Sequence, residues 1–435
     1  MRPVICLFSR NLRLEDNRVL SAASAQGPVI PCFLQKPHVP GSFARTFIEE
    51  SLSELQQDIA SQGGRLLLIR DGDTQMLIET ARASGCETLF TEEDYSPERQ
   101  KLISSLSDAL EVRQVGDRTL VHPASVLKQD GTPYQVFTPY LKKVLSLDAD
   151  PPQKHVRTSW FHGDKKSSSA VHQERTPGGA VQGGRTAGLK ALEQLDDLRD
   201  YPRTRDIPSL RTSRLSAHLA FGTVSPREAF MAAASLFGPD SVFAGELVWR
   251  DFWLYIAYHF PHVFTGSFIR KYDRLAWSQD AAAFQRWCDG TTGFPMVDAG
   301  MRELNSTGFM HNRLRMITAS FLVKDLHIDW RWGEDYFSQK LIDYDPCVNN
   351  GNWQWSASTG CDAQPFFRVF NPWTQQKKFD PQALYMKQWI PELEAYAPKD
   401  IHRHEAKHLP GYPKPIADHS TERKIALDAY RSAAG

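Results

Sequence analysis

The 435-residue chain has no uninterrupted apolar run approaching the roughly 18 residues that a membrane-spanning helix needs, so none is expected. The opening stretch, MRPVICLFSRNLRLEDN, is charged too early and too often for a secretory leader. Cysteine is sparse: Cys6, Cys32, Cys86, Cys288, Cys347 and Cys361 are scattered without a Cys-x-x-Cys pair or any zinc spacing. A disulfide framework and a metal centre are therefore not expected, and a reducing cytoplasm suits the chain. The formal net charge is zero, which removes a general polyanion-binding surface but leaves room for a local basic groove. Internal repeats and low-complexity arrays are absent as well.

Tryptophan is what stands out. Ten of the eleven lie at or beyond Trp249, and only Trp160 precedes them, so the two halves differ chemically. In the first, Val4–Phe8, Val29–Leu34, 65–69 and 88–90 read as buried strands. Ser42–Ser61 and 73–84 carry apolar residues at helical spacing. Strand–helix alternation implies a parallel sheet covered on both faces. No G-x-G-x-x-G follows the first strand, which argues against a dinucleotide held in the usual Rossmann manner. Residues 1–145 are thus expected to form an α/β domain and 146–190, rich in Lys, Ser, Gly and Gln, a linker. Residues 191–435 are expected to form an all-helical domain, with helices over 189–198, 226–236, 246–259, 282–288, 295–306, 312–326 and 332–341.

Five segments carry residues suited to chemistry. Between Asp343 and Trp355 stand two acids, two adjacent amides, a glycine and two tryptophans. Acids and amides beside large aromatics need hydrogen-bond partners once buried, and a polar heteroaromatic ligand supplies them. On a helix Trp353 and Trp355 lie about 200° apart. One ring then faces a cavity and the other protein, or one is core and the other solvent-exposed. Thr212, Ser213, Arg214, Leu215 and Ser216 place hydroxyls and a basic residue near helix starts, suited to a pyrophosphate or to plain N-capping. Glu246, Trp249, Arg250 and Trp253 share one helix face, a combination fit for stacking plus hydrogen bonding, or for a surface ion pair over half-buried rings. Asn312, Arg315 and Met316 share another, with Arg313 turned aside. The run 366–378 interleaves aromatics with basic and amide residues, as nucleic-acid binding requires.

Taken together, TSRLSAHLAFG, ELVWRDFW, FPMVDAGMRELNSTGFMHNRLRMITASFLVKDL and LIDYDPCVNNGNWQWSASTGCDAQPFFRVFNP resemble the photolyase/cryptochrome family, in particular class I cyclobutane pyrimidine dimer photolyases. The likeness runs nearly continuously from about 201 to 401. It implies a Rossmann-like antenna domain followed by an all-α domain holding FAD, and light-driven electron transfer from reduced FAD to a pyrimidine dimer flipped out of UV-damaged DNA.

By that resemblance, Tyr201, Thr212, Ser213, Arg214, Leu215 and Ser216 contact FAD. Asp343, Tyr344 and Asp345 bind its flavin, ribose or adenine edges, Arg315 pairs with Asp343, and Asn349 faces flavin N5 with an amide that adds no charge. Trp249 and Trp355 flank the dimer, Glu246 hydrogen-bonds a thymine, and Asn312 and Met316 line the same pocket. Arg205, Arg250, Arg313 and Gln375 contact DNA, and Trp353, Trp330 and Trp277 relay electrons to flavin. Pro97 stands where folate binders have Asn, so a deazaflavin or second flavin is favoured over folate as antenna, and no antenna at all remains open. A monomer is expected. The alternative is a cryptochrome, a photoreceptor without repair. A (6-4) photoproduct enzyme would need paired histidines, and here His311 stands alone.

Overall fold

The structure, a computed structural model, describes residues 1–35, 41–147, 149–154, 157–162 and 179–434. Most of the expected linker's polar run, 163–178, lies outside the described residues. The chain divides into two compact units. The first comprises Met1–Arg199 with Ser213–His259, and the second Asp200–Thr212 with Phe260–Gly435.

The first unit begins with strands β1 (Val4–Phe8), β2 (Val29–Leu34), β3 (Leu67–Ile69), β4 (Thr88–Glu92) and β5 (Glu111–Val115). They form one parallel sheet in the order β3-β2-β1-β4-β5, with Val4 opposite Val29 and Ile5 opposite Leu89. Helices α1 (Arg18–Gln26), α2 (Ser42–Ser61), α3 (Thr74–Ala83) and α4 (Pro97–Ser107) supply the crossovers. β1 is buried throughout, as a doubly covered parallel strand must be. β5, with sequence EVRQV, is an edge strand and largely exposed, so no apolar run announces it. Then come α5 (Phe137–Leu145) and α6 (Arg185–Glu193); α7 (Tyr201–Thr204) belongs to the second unit.

Helices α8 (Ser216–Phe221), α9 (Pro226–Phe237) and α10 (Val242–His259) pack in the first unit. Buried charges hold them there. Arg227 on α9 donates to Asp16 Oδ2 at 2.8 Å and Asp117 Oδ1 at 2.6 Å, and Arg13 donates to the Gly222 carbonyl at 2.9 Å. Removing one partner of such a network strands a buried charge, which costs about 3–5 kcal/mol. Gly222 ends α8 at φ 66°, where a Cβ would collide with the Arg10 carbonyl.

The second unit is helical: α11 (Ala281–Asp289), α12 (Pro295–Thr307), α13 (Asn312–Lys324), α14 (Trp330–Lys340), α15 (Pro346–Ser356), α16 (Pro372–Phe379), α17 (Leu384–Trp389), α18 (Pro398–Ile401) and α19 (His419–Ala434). Its core gathers Trp287, Phe294, Leu314, Phe321, Trp330 and Trp353. The segment after Ile401 is structured: His419 Nδ1 lies 2.5 Å from Asp325 Oδ1, and the Lys324 ammonium sits 3.4 Å from the centre of the Tyr430 ring. All six cysteines are buried.

Candidate cofactor and nucleic-acid site

The second unit's candidate residues converge on the first turn of α13 and on α15. His311 caps α13, its Nδ1 accepting from the Arg313 amide at 3.1 Å. Two arginines then stand in the opening turn, against the helix dipole, and no acidic residue of that turn offsets them. Each finds an aspartate elsewhere in the unit. Arg315 Nη2 donates to Asp343 Oδ2 at 2.7 Å, and Arg313 Nη2 lies 2.6 Å from Asp206 Oδ1. Asn312 is exposed, with its Nδ2 4.0 Å from Met316 Sδ one turn on.

α15 starts at Asp345, whose Oδ1 accepts from the amides of Cys347 at 2.9 Å and Val348 at 3.2 Å, with Pro346 pre-set for the first helical position. Asp345 is thus committed to capping, a duty its family role does not reveal. Asn349 Nδ2 donates to the Glu334 carbonyl at 3.1 Å, which leaves its Oδ1 as the end able to accept. Asn350 and Gln354 have a structural task. Gln354 Nε2 donates to Asn350 Oδ1 at 3.0 Å and to the Val263 carbonyl at 2.9 Å, and Gln354 Oε1 accepts from the Phe268 amide at 2.8 Å. Tyr344 and Trp355 are half-buried, and Trp353 is buried on the other side of the helix.

Trp353 packs edge-on to Phe337 at 5.0 Å and to Trp287 at 6.2 Å. Its ring lies against α14 where Gly333 stands, and a Cβ there would overlap it. Trp330 is buried, and neither Trp330 Nε1 nor Trp353 Nε1 has a hydrogen-bond partner among the described residues. Trp277 is half-buried and packs on the cluster of Tyr272 and Tyr430. Tyr201 and Thr212 are half-buried in the segment Asp200–Thr212, and Arg205 follows the end of α7. Gln375 on α16 is half-buried, with Oε1 enclosed and unpartnered among the described residues.

In the first unit, Glu246 and Trp249 are half-buried on α10, and Trp249 stacks on Phe137 at 3.7 Å and 10°. Arg250 is directed inward, donating to the carbonyls of Arg118 at 2.7 Å and Leu219 at 3.1 Å. The loop before α8 places Arg214 at φ 53° with Leu215 helical behind it. That left-handed to right-handed pair points successive amides the same way, a backbone arrangement that holds anions. Ser213 is half-buried and Ser216 exposed.

The donor set fits a flavin nucleotide on one observation above all. The Asp343 side chain is 2% exposed, yet its Oδ1 has no partner among the described residues. A buried carboxylate oxygen left unmet is costly, and a ligand N–H or hydroxyl answers it. No group of three or more His, Cys, Asp or Glu is placed to hold a metal among the described residues. No described helix is long and apolar enough to cross a membrane.

Comparison with known proteins agrees. Residues 243–432 match the FAD binding domain of DNA photolyase, and residues 4–156 match the DNA photolyase domain. The chain is 36% identical to a deoxyribodipyrimidine photo-lyase of Agrobacterium fabrum, over 98% of this chain and 97% of that protein. Among solved structures, a bacterial class III photolyase from Agrobacterium tumefaciens superposes with TM-score 0.91 at 34% identity, covering 100% of this chain and 98% of that one. An archaeal photolyase from Sulfolobus tokodaii, crystallised with two FAD molecules, gives 0.88 at 36%, covering 99% and 100%.

Proposed function

The chain belongs to the DNA photolyase family, and from that premise we propose that it splits cyclobutane pyrimidine dimers in UV-damaged DNA under blue light. The observation that carries this reading is Asp343, a buried carboxylate paired with Arg315 on one oxygen and open on the other. The motifs follow the class I pattern, while the solved Agrobacterium relative bears a class III name. Full-length relatives named photo-lyases favour repair over the photoreceptor reading.

FAD, when bound, supplies the photoexcitable electron donor. What the protein contributes is binding and electrostatics. Arg315 fixes the orientation of Asp343, whose open oxygen would accept from the flavin. Asn349, with its Nδ2 tied to the Glu334 carbonyl, would present Oδ1 as a neutral acceptor. Thr212–Ser216 would take phosphate oxygens on backbone amides and hydroxyls. Trp249 and Trp355 would hold the dimer by stacking, and Glu246 would accept a hydrogen bond from a thymine. Asn312 and Met316 would contact the dimer, and Arg205, Arg313 and Gln375 would engage the strand. Trp353, Trp330 and Trp277 would pass electrons inward during photoreduction. A second flavin as antenna agrees with the Sulfolobus relative's two FAD molecules. Action as a monomer in the cytoplasm completes the reading.

The test is a reduced, flavin-loaded protein mixed with a thymine-dimer oligonucleotide under blue light. Recovery of thymine absorbance against a dark control is the expected result. Absent recovery with photoreducible flavin would favour the photoreceptor.

A further inference from the structure

Arg313 is an unusual candidate for a phosphate contact. Its side chain is 14% exposed, its guanidinium lies 4.4 Å from the centre of the Phe379 ring, and its Nε is enclosed without a partner among the described residues. Stacking and enclosure fix it in place. Standing in the first turn of α13, its charge is opposed by the helix dipole, so it retains a strong demand for an anion. In the free protein that anion is Asp206, whose Oδ1 lies 2.6 Å from Arg313 Nη2 and 3.9 Å from Arg205 Nε. One carboxylate oxygen therefore serves two arginines. Asp206 itself is the loose partner: its side chain is 36% exposed, and it follows the end of the four-residue helix α7.

We propose that Asp206 is an internal competitor for DNA phosphate, occupying Arg313 in the free protein and displaced by the backbone of the bound strand. The proposal rests on Arg313 being a DNA contact. A phosphodiester carries the same charge as a carboxylate and offers two acceptor oxygens, so it fits the same guanidinium. Arg313 needs no movement in the exchange, and Asp206 needs only to rotate into solvent. The consequence is a lowered affinity for any strand, which matters most at the end of the cycle, because the repaired product is ordinary DNA and must leave.

The magnitude is modest. A partly exposed ion pair is worth up to about 1 kcal/mol, equivalent to roughly fivefold in affinity. Binding of the flavin-loaded full chain to undamaged and dimer-containing duplexes, followed by fluorescence anisotropy over a salt series, reads this directly. Asp206→Asn is expected to tighten both duplexes by about fivefold and to steepen the log affinity–log salt slope by about one. Asp206→Glu, which keeps the competitor, should bind as wild type does. Weaker or unchanged binding by Asp206→Asn, with Arg313→Ala weakened, would overturn the proposal and make Asp206 a positioning residue for Arg313. An Arg313→Ala protein with wild-type affinity and salt slope would instead remove the DNA-contact reading on which the proposal stands. Retained flavin absorbance in each variant reports that the fold is intact.

Discussion

Arg315 and Asp343 are paired unequally: the guanidinium is 27% exposed and the carboxylate 2% exposed. One carboxylate oxygen takes Arg315 Nη2 at 2.7 Å and the other has no partner among the described residues. The pair is thus a preset acceptor, with its charge balanced on one side and its capacity open on the other. A charge-assisted hydrogen bond contributes about 1.5–3 kcal/mol. Asp343→Asn, which keeps an oxygen but loses the charge, should retain flavin roughly tenfold more weakly, and Asp343→Ala more weakly still. Flavin-to-protein ratio after equilibrium dialysis measures this, with the circular dichroism melt of the apoprotein as control. Full retention by the Ala variant would place the flavin elsewhere.

Trp355 is half-buried on the side of α15 opposite the enclosed Trp353. Stacking of a base on such a ring is worth about 1–3 kcal/mol. Trp355→Ala should accordingly weaken binding of dimer-containing DNA by roughly tenfold or more while leaving undamaged duplex nearly unchanged. Equal losses on both substrates would mean that Trp355 contacts the strand generally and not the flipped lesion.

Sequence legibility followed the range of the forces involved. β1 and β2 are legible because strands buried on both faces must be apolar throughout, whereas β5 escapes because an edge strand may be polar. The opposed placement of Trp353 and Trp355 follows from helix period alone. The assignment of Asn349 to flavin came from resemblance, and its fixed amide orientation only from the carbonyl of Glu334. Asn350, the second of the two adjacent amides, is unlike Asn349 anchored together with Gln354 on the loop between Val263 and Phe268. Nothing local in either residue distinguishes the two fates. The same holds for Asp206, whose partner Arg313 is remote in sequence and near only in the fold.

Gly333 sets the seat of Trp353. No room exists for a Cβ between α14 and the indole, so even Gly333→Ala must displace a ring proposed for the electron relay. Core overpacking of this kind typically costs about 1–3 kcal/mol. The expected outcome is a lower melting temperature together with slower photoreduction of bound oxidised flavin, measured by absorbance under blue light with a chemical reductant present. Trp353→Phe should slow photoreduction comparably with a smaller stability loss. Unimpaired photoreduction in both variants would remove Trp353 from the relay.

Glu334 gives the second unit a pH dependence of definite sign. Burial pushes its carboxyl up to about 7, against the lowering effect of a hydrogen bond from Asn350 and the charge of Arg331. The folded state then holds a proton that the unfolded chain releases near the ordinary value of 4.5. Protons bound in excess by the folded state make stability fall as pH rises. The fall begins near the unfolded value and is complete above about 7. Its size is on the order of 3 kcal/mol. Glu334→Gln, which preserves the carbonyl that holds Asn349, should flatten the melting temperature between those limits and raise it at pH 8. A Gln variant whose melting profile tracks the wild type across that interval would mean the carboxyl is already ionised in the fold, stabilised by Arg331 more strongly than burial opposes it.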